Sequence, residues 1–195
     1  MRLFVALDLD ENIRNRIVRF VEGVRGFAPE ARWARPESLH VTLKFIGEQA
    51  EAQLNNIQSA LASIDADGFE MNVRGYGFFP TKRMARVFWI GIEAESKLAA
   101  LAALVDSTLA SLNIPREEHS YNAHLTLARG SGHSGAPRQQ KGDRATSGFQ
   151  HLQEKFGALP APEFGTMTAR EFFLYQSQLS AGGSKYTKLA AFSLR

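Results

Sequence analysis

HVTLKFIG (residues 40–47) and HLTLARG (residues 124–130) set the same pattern, His-x-Thr-Leu, into two apolar stretches of one chain. Each stretch alternates apolar and polar side chains over a short run, which reads as a β-strand. Residues i and i+2 of a strand share a face. His40 and Thr42 therefore point one way, while Val41 and Leu43 point into the core. His124 and Thr126 do the same, with Leu125 and Leu127 packed behind. By that parity Lys44 falls on the histidine side and Phe45 on the packed side.

Working outward from the first motif, residues 3–9 form a buried-strand pattern around Asp8. Asp10 is placed to cap a helix whose inner face carries Ile13, Ile17, Phe20 and Val24. Residues 32–36 are a short extended piece broken by Pro36. Leu54, Ile57, Leu61 and Ile64 mark a second amphipathic helix. Phe69, Met71 and Val73 alternate with Glu70, Asn72 and Arg74 as a strand with one wet face. The pattern then restarts. VFWIGI (87–92) is a strand, Ser96 is placed to cap a helix carrying Leu98, Leu101, Val105 and Leu112, and the second motif follows. A weaker helix over 150–156 and strands over 172–175 and 189–194 close the chain. Leu3 precedes His40 by 37 residues, and Val87 precedes His124 by the same 37. The spacing predicts an internal duplication of a β-α-β-α-β unit. The expected α+β domain is single and bilobal, with halves of about 1–80 and 84–195 that are free to exchange terminal strands. Such a duplication assembles about a pseudo-two-fold axis and brings the two His/Thr faces towards each other across a cleft. The stretch 129–148 is rich in Gly, Ser and basic residues without apolar periodicity. It reads as a long loop, either a solvated insertion or a flap that touches phosphates.

Composition bounds the chemistry. The chain has 195 residues, 44% of them apolar, and no cysteine, which excludes disulfides, zinc thiolates, iron–sulfur clusters and thiol catalysis. The absence of cysteine fits a reducing compartment, and neither a signal-like segment nor a membrane-length apolar run is visible, so a soluble cytoplasmic protein is expected. A net charge of +3 permits an anionic partner such as a nucleotide or RNA.

Two neutral imidazoles facing one another suit in-line displacement at phosphorus. One deprotonates the attacking oxygen and the other protonates the leaving oxygen, because an imidazole with a reference pKa near 6.5 exists in both forms near neutrality. The threonine hydroxyls, one pleat along, can donate to non-bridging oxygens. No metal is required: two histidines are too few for a catalytic zinc site, and neither HExxH nor a carboxylate cluster accompanies them. His119, His133 and His151 lack the threonine partner and read as surface residues, while Trp33 and Phe79 are aromatics for either the core or a base.

WARPESLHVTLKFIG (33–47), AHLTLARG (123–130) and LYQSQLSAGGSKYTKL (174–189) resemble the LigT-like RNA 2′,3′-cyclic phosphodiesterases of the two-histidine phosphoesterase superfamily, and the likeness runs nearly end to end. The resemblance implies a bilobal α+β fold whose two mainly antiparallel sheets and paired histidines line a central cleft. It implies opening of a 2′,3′-cyclic phosphate at an RNA or nucleotide end to a 2′-phosphate, and an association with reversible 2′–5′ RNA ligation. It implies no cofactor, and a monomer is the default. One departure is Ala123, where the family often has proline; a proline there would only stiffen the entry to the strand. On this reading His124 is the base and His40 the acid, with the exchanged assignment open. Thr42 and Thr126 bind non-bridging oxygens, and Arg129 is the phosphate-binding cation. Lys44 points to the phosphate, the RNA backbone or solvent. Tyr186 borders the base or phosphate, or belongs to the core. The competing function is a non-catalytic RNA-end or nucleotide binding module of the same fold, which need not keep both His-Thr pairs.

Overall fold

The structure, a computed structural model, describes residues 1–130, 149–180 and 183–195. Its elements in chain order are β1 (Arg2–Leu7), α1 (Glu11–Val24), β2 (Arg32–Trp33), β3 (Val41–Glu48), α2 (Leu54–Ala62), β4 (Phe69–Phe79), β5 (Val87–Glu93), α3 (Lys97–Ala110), β6 (His124–Arg129), α4 (Gln150–Phe156), β7 (Glu163–Ala169), β8 (Glu171–Ser180) and β9 (Gly183–Ser193). The helices form where apolar residues recur at helical spacing. Ile13, Ile17 and Val24 are buried on α1, Ile57 and Leu61 on α2, and Leu98, Leu101, Val105 and Leu109 on α3. Asp10 and Ser96 stand at the N-caps as expected, but neither side chain makes a capping bond; the Asp10 carbonyl accepts from Arg14 N at 2.9 Å. Of the loop expected over 129–148, residues 131–148 lie outside the described residues.

The strands form two antiparallel sheets, β3-β1-β8-β9 and β2-β6-β5-β4-β7. Their layout explains why the two motifs meet. In the first sheet β1 is flanked by β3 and β8; in the second, β5 is flanked by β6 and β4. The first half's β4 thus lies in the second half's sheet, and β8 from the second half lies beside β1. Helix packing crosses in the same sense, with α1 against β7 and α3 against β3. The motif strands β3 and β6 are in direct contact where the sheets adjoin. One continuous core joins both sheets and the helices, from Leu3 and Val5 through Phe88 and Ile90 to Leu174.

Strict alternation fails at the same point of both motifs. Val5 pairs with Lys44 and Ala6 with Thr42, so Leu43 is an extra residue on β3. Phe88 pairs with Ala128 and Trp89 with Thr126, so Leu127 is an extra residue on β6. Each is a β-bulge, and a bulge shifts every later side chain to the other face. Burial follows. From His40 to Phe45 and from His124 to Arg129 the order is the same: partly exposed, buried, partly exposed, buried, buried, exposed. The fifth residue after each histidine is thereby returned to the histidine face. That residue is Phe45 in one half and Arg129 in the other.

Candidate active site

Each histidine is held by the backbone of its own approach segment. The His40 Nδ1–H donates to the Ser38 carbonyl at 2.7 Å, and the His124 Nδ1–H donates to the Asn122 carbonyl at 2.7 Å. A carbonyl only accepts, so both rings carry their proton on Nδ1 when neutral and leave Nε2 for proton transfer. Both imidazoles are held below their ordinary pKa. For His40 the chief cause is burial; the Ser38 bond and the Asp8 carboxylate oppose it, while Arg129 and Arg14 add to it. For His124 burial again leads, opposed by the Asn122 bond and reinforced by Arg129. The Arg129 charge therefore acts on both rings, which is how a cation at a shared cleft behaves.

The approach to each ring is clamped by an ion pair whose cation also reaches a proline carbonyl. Arg14 on α1 bonds to Asp8, to the Pro36 carbonyl and, at 3.3 Å, to the Leu39 carbonyl, fixing the turn that contains Ser38. Lys44 does the corresponding work for His124. Its Nζ lies 2.6 Å from Asp106 Oδ1 on α3 and 2.8 Å from the Pro115 carbonyl. Asp106 also accepts from Glu117 N at 3.1 Å, and the Tyr121 hydroxyl donates to the Thr42 carbonyl at 2.9 Å. The segment leading into the second motif is thus docked on the first motif's strand. Burial would lift the Asp106 carboxyl, but the bonds from Lys44 and Glu117 N and the charges of Lys44 and Arg116 hold it below the ordinary range.

These contacts correct two expectations. Lys44 does not face the phosphate or solvent: it is 2% exposed, on the helix side of the sheet. Phe45, expected in the core, is 58% exposed on the histidine face. The Leu43 bulge is the cause of both. Thr42 and Thr126 are partly exposed on the histidine face, where parity puts them, and Arg129 joins them through the Leu127 bulge.

Aromatic rings line both walls. On the first, Phe4 stacks on Tyr175 with centroids 5.1 Å apart and lies 4.8 Å from the His40 ring. Tyr186 stands edge-on to His40 at 5.3 Å and to Phe4 at 5.0 Å, so it borders the cleft rather than the main core. On the second wall Phe79 is edge-on to His124 at 5.0 Å and lies 5.0 Å from Trp89. Trp89 occupies a notch made by Gly77, where a Cβ would overlap the indole ring. Trp33 turns inward, edge-on to Phe88, with Nε1 donating to the Ala28 carbonyl at 3.0 Å. His119 and His151 are exposed and lack the threonine partner, His151 pairing with Glu154 at 3.5 Å; His133 lies outside the described residues.

Sequence reasoning passed over Asp8, Arg14, Tyr121 and Phe4. Asp8 was visible as the one charge inside the apolar run 3–9, and its carboxylate pairs with Lys188 at 2.6 Å as well as with Arg14. It lines a groove of about 400 Å3 together with Met167, Arg170, Phe173 and Lys188. Among the described residues no three ligating side chains converge as a metal site requires, and no helix is long and apolar enough to cross a membrane.

Residues 7–89 match the protein-family model described as LigT like phosphoesterase. A Methanothermobacter thermautotrophicus protein named RNA 2′,3′-cyclic phosphodiesterase is 32% identical over 196 residues, covering 100% of this chain and 99% of that one. A crystal structure of a Thermus thermophilus protein is similar with a TM-score of 0.77 and 31% identity, over 100% of this chain and 98% of that one. E. coli LigT complexed with 3′-AMP is similar with a TM-score of 0.76 and 26% identity, over 99% of this chain and 97% of that one.

Proposed function

The chain belongs to the LigT-like phosphoesterase family, and on that premise we propose that it opens 2′,3′-cyclic phosphates at RNA or nucleotide ends to 2′-phosphates, using its paired histidines and no metal. The observation that carries this reading is the matched pair of Nδ1 bonds, which leaves one Nε2 from each motif for proton transfer near Arg129, whose charge acts on both rings. Water attacks phosphorus as its proton passes to Nε2 of the base. The P–O3′ bond breaks, and the 3′-oxygen takes a proton from Nε2 of the acid. His40 is assigned as the acid because, among the described residues, the Asp8 carboxylate favours its protonated form; His124, lowered by the Arg129 charge with no such carboxylate among the described residues, is the base. Thr42, Thr126 and the Arg129 guanidinium hold the non-bridging oxygens, where negative charge builds. Phe45, presented bare beside Phe4, offers a face on which a base can stack. A 5′-hydroxyl in the place of water would give a 2′–5′ linkage by the same proton transfers.

The test is turnover of a nucleoside 2′,3′-cyclic phosphate in the presence of EDTA, with identification of the product isomer. His40→Ala and His124→Ala are each expected to lower kcat by about 10²- to 10⁴-fold in a folded protein. Tight binding of the phosphorylated end without any product would instead make the protein a binding module, and full activity in both single variants would remove the histidines from the chemistry.

A further inference from the structure

Beyond the scissile phosphate, the cleft face of the second sheet carries a charge arrangement that packing does not explain. Arg32 on β2 is the direct cross-strand partner of Arg129 on β6. Direct partners share a face, so both guanidiniums lie on the face of Thr126 and His124. Both residues are exposed, and among the described residues neither has an ion pair with a carboxylate. Like charges placed directly opposite on neighbouring strands repel and weaken the pairing. The arrangement is also held firmly. Trp33 is locked into the core by its bond to the Ala28 carbonyl at 3.0 Å and its edge contact with Phe88. Ala34 N donates to the Leu127 carbonyl at 2.7 Å. With Trp33 inward, strand parity leaves Arg32 no direction but the cleft side.

We infer that Arg32, side by side with Arg129, seats a second phosphate of the substrate, the internucleotide phosphodiester next to the cyclic end, and so selects an RNA strand over a mononucleotide. This rests on the hydrolase reading for the place of the first phosphate. Arg129, whose charge reaches both imidazoles, is turned to the reacting phosphate. Arg32, one strand further out and acting on neither ring, is left for the next anion along the backbone. A planar guanidinium suits a phosphodiester oxygen pair, and an edge strand leaves the chain's path open to solvent.

The experiment measures binding of a nucleoside 2′-phosphate and of a dinucleotide ending in 2′-phosphate, which differ by one internucleotide phosphate and one nucleoside. Wild type, Arg32→Ala and Arg32→Lys are compared at two salt concentrations, with turnover of the matching cyclic phosphates in parallel. Wild type is expected to bind the dinucleotide about tenfold more tightly. Arg32→Ala loses most of that gain and lowers the salt slope for the dinucleotide by roughly 0.7, the single-strand value for one contact. Arg32→Lys keeps part of it. The inference is overturned if wild type shows no gain, if the gain survives in Arg32→Ala, or if Arg32→Ala weakens both ligands by the same factor. Binding that depends on Arg32 without any turnover would count against the hydrolase reading and leave the second-phosphate seat standing.

Discussion

Replacing Lys44 by methionine separates a buried strut from a substrate contact. The ammonium is 2% exposed and bonded to Asp106 and the Pro115 carbonyl, so the substitution leaves a carboxylate and a carbonyl without their donor. Removing one partner of a buried pair costs about 3–5 kcal/mol. The Asp106 side chain is 18% exposed and keeps its bond from Glu117 N, so water can recover part of that, and about 2–3 kcal/mol is expected. Urea denaturation reads this as a midpoint lowered by roughly 1 M at unchanged m. The sign of its pH dependence follows from Asp106. Its carboxyl is depressed in the fold, so the pair's contribution is complete above the unfolded value of about 3.9 and is lost as pH falls through the lower folded value. The gap between Lys44→Met and wild type should therefore narrow below about pH 4. A change of under about 0.5 kcal/mol, together with a tenfold rise in KM, would refute the placement and return Lys44 to the cleft.

Two further outcomes are expected. Both imidazoles are depressed, so in the free enzyme the protonated acid is lost below the reference value of about 6.5. The kcat/KM profile should be a bell lying to the acid side of that value, and Arg129→Ala, which removes a charge lowering both rings, should move it alkaline while cutting the rate about 10²- to 10³-fold; an optimum above pH 8 in wild type would contradict this. Phe45→Ala should leave stability within about 0.5 kcal/mol, because the ring is exposed, yet weaken binding of a base-bearing substrate by roughly 1–3 kcal/mol; a large loss of stability by calorimetry would return the ring to the core.

The sequence made the periodic parts of this molecule legible. The faces of α1, α2 and α3, the central strands and the two histidine-threonine pairs all follow from spacing within one element. What it concealed depends on partners far along the chain. A bulge is defined by the strand opposite, so nothing within HVTLKF announces that Leu43 has no partner and that Lys44 and Phe45 have traded faces. The clamps are similar: Lys44 and Asp106 lie 62 residues apart, and Tyr121 and Thr42 lie 79 apart. β7 is not legible because EFGTMTA has little apolar run and contains a glycine, although its buried Phe164, Met167 and Ala169 complete the outer edge of the second sheet.

A site assembled from twin halves faces a difficulty of orientation: with mirrored walls, a ligand could enter either way round and either ester oxygen could depart. On the proposed reading, the residues that the paired bulges present remove that ambiguity. The bulges bring to equivalent spots two side chains of opposite temperament, a ring at Phe45 and a cation at Arg129. On the same reading the nucleoside is drawn to one wall and the anion to the other, and the choice of product isomer is written in this difference between two strands that share the His-x-Thr-Leu pattern.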